Sequence, residues 1–185
     1  MIPALGRLAE WSNAPHLKCG RGAILSEVRI LHLPLHMGKE KDLYQISLKL
    51  FLKRNDGKIL ALKAVDDGSY AGFYDLPGGR IDTDELETSF PEIIRREVAE
   101  EIGAVEFRLQ EKPVAVGRHR IPAALTGSGK DIHVLYLFFE ASYTGGEVRV
   151  SEEHTGYEWL DLTAIDPSEY FTSGILEGVQ MYLGK

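Results

Sequence analysis

Residues 76–105 read LPGGRIDTDELETSFPEIIRREVAEEIGAV, and the rest of the chain is best understood from this stretch outward. Pro77-Gly78-Gly79 ends a strand in a tight loop where backbone can approach a ligand closely. Ser89 with Glu92 three residues on is a capping box, which starts a helix, and Gly103 suits the left-handed position that ends one. These signals predict a helix from about Phe90 to Ile102. Ile94, Val98 and Ile102 recur at i, i+4 and i+8 and form its packing face. With Glu97 set to zero on the helical wheel, Glu101 sits at about +40° and Glu100 at about −60°. Three carboxylates therefore share one arc beside the apolar stripe. Like charges at these spacings destabilise a helix by a few tenths of a kcal/mol per pair, roughly. A divalent cation compensates naturally, because carboxylate oxygens are its preferred ligands.

On the N-terminal side, Tyr44, Ile46, Leu48, Leu50 and Leu52 alternate with Gln45, Ser47, Lys49, Phe51 and Lys53, the pattern of a half-buried strand. Asn55-Asp56-Gly57 supplies hairpin-turn residues, and Ile59 to Val65 returns as a second strand. On the C-terminal side, Ile132 to Ala141 is nearly continuously apolar and predicts a central strand covered on both faces. Tyr157 to Leu162 reads as a short strand. Ile175, Leu176, Val179, Met181, Tyr182 and Leu183 fall mostly on one stripe of a closing helix. Strands with helices between and after them predict a layered α+β domain.

The first 36 residues carry three prolines and neither period, and they give no clear element. Gly6 to Leu35 resembles the conceptual translation of a transfer-RNA gene, which would make residues 1–36 an over-extended reading frame with the native start at Met37. The other reading is an N-terminal arm, one use of which is homodimerisation. The domain proper is expected over 37–185.

Net charge is −7, and the window from Asp82 to Glu101 alone, with eight acids against two bases, contributes −6 of it. Such a chain is poorly suited to non-specific nucleic-acid binding, which needs surplus Lys and Arg on phosphates. No run of 18 apolar residues predicts a membrane span, and a single cysteine, Cys19, fits a reducing cytoplasm.

Arg96-Glu97-Val98-Ala99-Glu100-Glu101-Ile102-Gly103, with Gly79 and Glu85 upstream, resembles the Nudix signature G-x5-E-x7-R-E-U-x-E-E-x-G-U, where U is a bulky aliphatic. Leu76-Pro77-Gly78 is its usual lead-in. There are two departures. The spacer from Glu85 to Arg96 holds ten residues where the family has seven, so the position correctly spaced from Arg96 is Thr88. The closing aliphatic is Ala104.

The resemblance implies the Nudix fold, a mixed β-sheet sandwiched between α-helices, and hydrolysis of the pyrophosphate in a nucleoside diphosphate linked to another moiety. The leading small-molecule substrates are a nucleoside-diphosphate sugar and a non-standard nucleoside triphosphate. It also implies Glu97, Glu100 and Glu101 as ligands to Mg²⁺ or Mn²⁺, with the Gly78 carbonyl as a further oxygen. Arg96 is expected to orient a carboxylate, Glu97 foremost. The general base is expected to be a helix glutamate such as Glu97 or a carboxylate of the loop Ser151-Glu152-Glu153-His154, Glu153 foremost, the other reading of that loop being a solvated one.

Among weaker signals, Arg118 and Arg120 could meet substrate phosphates or form a solvated rim. Phe73 and Tyr74 could stack on a nucleobase or fill the core. His133 and Trp159 read as packing. A non-catalytic Nudix-like binding domain is the competing class, but such a domain is expected to lose box glutamates and all three are present. An isoprenoid-diphosphate isomerase resembles a Cys-plus-Glu machine, and Cys19 lies outside any motif.

Overall fold

The computed structural model describes residues 41–65 and 70–184. Both readings of residues 1–36 therefore lie outside the described part, and so does Cys19. The elements run β1 (Tyr44–Lys53), β2 (Ile59–Ala64), β3 (Tyr74–Asp75), α1 (Phe90–Ile102), β4 (Val105–Leu109), β5 (Ala115–Ile121), β6 (Ile132–Gly146), β7 (His154–Leu160), α2 (Pro167–Tyr170) and α3 (Ser173–Tyr182). One mixed sheet holds all the strands in the order β3-β2-β1-β6-β4, with β5 also pairing β6 and β7 pairing β2.

The Asn55–Gly57 turn folds β2 back on β1, with Lys53 opposite Ile59, and Gly57 takes the positive φ the turn needs. Thereafter the two strands part. The far half of that edge of β1 is taken by the loop after β3: Leu50 N–H donates to the Pro77 carbonyl (2.8 Å), Leu48 N–H to Gly79 (2.9 Å), and Ile81 N–H to Ile46 (3.0 Å). The other edge of β1 runs parallel to β6 from Tyr44↔His133 to Lys53↔Ser142. The glycine loop is thus stitched onto the most buried strand of the protein.

That strand departs from the half-buried expectation. Ser47 through Leu52 are buried on both faces. Leu48, Leu50 and Leu52 pack with Ile94, Val98 and Ile102 of α1, whereas Phe51 faces Phe138 and the α3 residues Ile175 and Val179. Alternation in the sequence shows that the two faces of a strand differ in chemistry. It does not show whether a second layer covers the polar one, and here α3 does. β6 is the covered central strand expected from its composition, extended to Gly146. With α1 on one face and α3 on the other, the chain has the expected α/β/α sandwich.

Candidate active site

α1 begins and ends where its caps predict. The Glu92 carboxylate reaches back to the Ser89 N–H (3.2 Å) and hydroxyl (2.6 Å), and Gly103 leaves the helix with φ +78°. Ile94, Val98 and Ile102 are each about 1% exposed or less, so the helix is locked in azimuth by its apolar stripe. The arc beside the stripe is thereby turned toward Gly78 and Gly79.

Those glycines are required by what lies against them. Gly78 has φ +121°, and a Cβ there would come within 2.1 Å of the Leu48 carbonyl oxygen. A Cβ on Gly79 would meet the Glu97 carboxylate at 2.4 Å. Glu97 thus lies directly over the bare Gly79 backbone. Glu101, 7% exposed, turns inward and accepts the Gly78 N–H on Oε2 at 2.6 Å. Glu100 stays outermost.

Arg96 organises the acids. Its Nε and Nη2 donate to the two oxygens of Glu85 at 2.7 and 2.9 Å, and its Nη1 lies 3.0 Å from both Glu97 and Glu100. The two-point partner of Arg96 is Glu85. Glu97, the partner expected from sequence, shares a single nitrogen. Glu85 also accepts the Asp82 N–H (2.9 Å), and despite the longer spacer it still reaches the arginine. The hydrogen bonds from Arg96 and Asp82 hold the Glu85 carboxyl below its ordinary range. Burial pushes Glu97 the other way, upward, and neighbouring Glu101 adds to the shift while Arg96 opposes it.

Two groups beyond the box join this centre. The β6–β7 connection brings Glu153 and His154 to Glu101, with one ligand atom from each of the three within 4.8 Å of the others. The His154 side chain is 8% exposed, its Nε2 lies 3.4 Å from Glu101 Oε1, and its Nδ1 is buried without a hydrogen-bond partner. Lys49 reaches the loop from inside the sheet, ion-pairing with Asp75 (2.9 Å) and donating to the Leu76 and Gly78 carbonyls. Burial works against its charge, but Asp75 and Glu101 outweigh this and raise its pKa. Neither His154 nor Lys49 was singled out from the sequence. His154 stood in the candidate loop beside Glu153. Lys49 stood on the polar side of an alternating strand.

Strand alternation turns Arg118 and Arg120 to the exposed face of β5, opposite His119, and Arg120 pairs with Asp131 at 3.6 Å. Tyr74 is half-buried, its ring against Tyr170 and its hydroxyl on Glu158 at 2.6 Å, which is the packing alternative; Phe73 is half-buried beside it. Trp159 packs against Tyr143 and under Arg54, and His133 against Tyr44.

A family profile described as NUDIX domain matches residues 43–177. The chain belongs to the Nudix family. It is 31% identical over 111 residues to the nucleoside triphosphatase NudI of Escherichia coli, covering 59% of this chain and 77% of that protein. Among solved structures it is similar to a MutT protein from Methanosarcina mazei (25% identity, TM-score 0.61, covering 76% of this chain and 94% of that one). A MutT Nudix hydrolase from Burkholderia pseudomallei is similar at 26% identity and TM-score 0.58, over 76% and 98% of the two chains. The Nudix hydrolase reading and the α+β fold both stand: this is an enzyme that cleaves the pyrophosphate linkage of a nucleotide. No helix among the described residues is long and apolar enough to cross a membrane.

The donor set suits the divalent ion on which Nudix hydrolases generally depend. Glu97, Glu100 and Glu101 supply hard oxygens on one arc, and the close approach of Gly79 leaves room for them. The Gly78 carbonyl, expected as a further ligand, accepts from Lys49 on one of its two lone pairs.

Proposed function

We propose that the chain hydrolyses a nucleoside triphosphate to a nucleoside monophosphate and pyrophosphate, with Mg²⁺ or Mn²⁺ held by Glu97, Glu100 and Glu101. The observation that carries this is the packing of Glu97 and Glu101 against the Gly78–Gly79 loop, with Glu100 joined to Glu97 through Arg96 and Arg96 clamped to Glu85. The similarity to a nucleoside triphosphatase supports the triphosphate over a nucleoside-diphosphate sugar.

A bound divalent ion would neutralise the phosphates and lower the pKa of an attacking water. Glu153, exposed and next to Glu101, is the base. The water oxygen attacks one phosphorus of the anhydride, the bridging P–O bond on its far side breaks, and the water's proton passes to the Glu153 carboxylate. Arg96 holds the box carboxylates in place without touching substrate.

The test is a panel of nucleoside triphosphates and nucleoside-diphosphate sugars with Mg²⁺ or Mn²⁺. Orthophosphate is read after adding inorganic pyrophosphatase for the first group and phosphatase for the second. Pyrophosphate released from triphosphates is the expected result. Turnover confined to nucleoside-diphosphate sugars would overturn the substrate assignment, and no turnover with any compound would overturn the proposal.

A further inference from the structure

Lys49 is 5% exposed in the middle of β1, between Leu48 and Leu50, where an uncompensated ammonium would be costly. An ammonium has three donors, and all three are committed: to Asp75 Oδ2, to the Leu76 carbonyl and to the Gly78 carbonyl. Asp75 is itself fixed, its other oxygen accepting the Leu76 N–H at 2.7 Å. The three acceptors belong to Asp75 at the end of β3 and to Leu76 and Gly78 in the loop that follows it. Gly78 is consequently held from both sides, its carbonyl by Lys49 and its N–H by Glu101 at 2.6 Å. It sits at φ +121°, outside the range other residues favour, so its orientation depends on such restraints rather than on intrinsic preference.

We propose that Lys49 is a positioning residue for the hydrolysis: by holding the Leu76 and Gly78 carbonyls, on either side of the Pro77–Gly78 peptide, it keeps the N–H of that peptide on Glu101 and so fixes that carboxylate with one oxygen, Oε1, facing His154. The inference rests on the hydrolase proposal above for its purpose and on the hydrogen-bond geometry for its mechanism. A methionine side chain offers nothing to the two carbonyls, and the loop would then be held to β1 only by the Leu50 N–H on Pro77 and the Leu48 N–H on Gly79. Glu101 would lose part of its restraint although no residue of the box had changed.

The alternative to exclude is a purely structural buried ion pair with Asp75. Lys49→Met and Asp75→Asn both destroy that pair, but only the first removes the hold on Gly78. Mn²⁺ binding is measured on the full chain without substrate, by titration with the free ion read by electron paramagnetic resonance, alongside thermal midpoints and the separate kcat and KM of the hydrolysis. Lys49→Met is expected to weaken Mn²⁺ binding and lower kcat by roughly 10-fold to 100-fold, the usual effect of removing a group that orients a ligand. Asp75→Asn, with a comparable loss of thermal midpoint, should stay within about threefold of wild type on both. If Lys49→Met does not fold, Lys49→Leu, which likewise has no N–H donor, is read against Asp75→Asn in the same way. Equal losses in the Lys49 and Asp75 variants would overturn the proposal, and so would an unchanged Mn²⁺ affinity and kcat in the Lys49 variant. A wild-type chain that binds Mn²⁺ but hydrolyses nothing strikes the hydrolase proposal instead.

Discussion

Arg96 closes a two-point ion pair on Glu85, at 2.7 and 2.9 Å, across a connecting stretch three residues longer than the Nudix signature allows. The guanidinium fork matches the geometry of a carboxylate, so two parallel hydrogen bonds set both the distance and the plane of the pair. The spacer leaves this contact through a turn after Glu85, closed by Thr88 N–H on the Glu85 carbonyl. Glu85→Gln is expected to lower kcat by roughly 10-fold, since it displaces Arg96 without removing a candidate ligand. Steady-state kinetics on this variant check the value, and a wild-type rate would show the clamp to be dispensable.

Replacing Glu97 or Glu101 by Gln should cost more. Each keeps its shape and loses a charge from the candidate metal site, and loss of a base or ligand costs on the order of 10²-fold to 10⁴-fold in rate. The thermal midpoint should be unchanged or slightly higher in Glu97→Gln, because a like-charge contact is relieved. Turnover and calorimetry on the same preparations separate the two effects. Wild-type rates in both variants would contradict the proposed site.

Hydrolysis should vanish in excess chelator and return on adding Mg²⁺ or Mn²⁺. Full activity in chelator would remove the divalent ion from the proposal.

The opposite shifts of Glu85 and Glu97 give stability an unusual pH dependence. Glu85 has a depressed pKa, so its contribution is present above the ordinary carboxylate value of 4.5 and is lost as pH falls through its folded value. Glu97 has a raised pKa, so the folded state binds the extra proton, and its ionised form penalises the fold increasingly as pH rises above 4.5. Relative to wild type, Glu97→Gln should therefore gain thermal midpoint between acid and neutral pH, while Glu85→Gln should lose it. Melting curves across that range decide; parallel curves for the three proteins would contradict both assignments.

Val98→Asp is the packing control. Val98 is 1% exposed between α1 and the sheet, and an unpaired charge there should cost on the order of 4 kcal/mol or more. Loss of cooperative unfolding by circular dichroism is expected; a native melting curve would mean that α1 does not dock through this stripe.

The chain's local order was determined by the sequence itself. Ser89 with Glu92 and Gly103 bounded α1, Asn55-Asp56-Gly57 made the hairpin, and the spacing of Glu97, Glu100 and Glu101 put three carboxylates on one arc, because caps, turns and helical periods involve residues within a few positions of one another. What lay beyond such distances was decided by the tertiary structure. Glu85 reached Arg96 over 11 positions, His154 reached Glu101 over 53, and Lys49 reached Gly78 over 29. Lys49 is the clearest case. Its place in an alternating strand is the same whether the second face meets solvent or α3, and only the packing of Phe51 and Phe138 beneath Ile175 and Val179 closes that face and leaves the ammonium no partners but the loop.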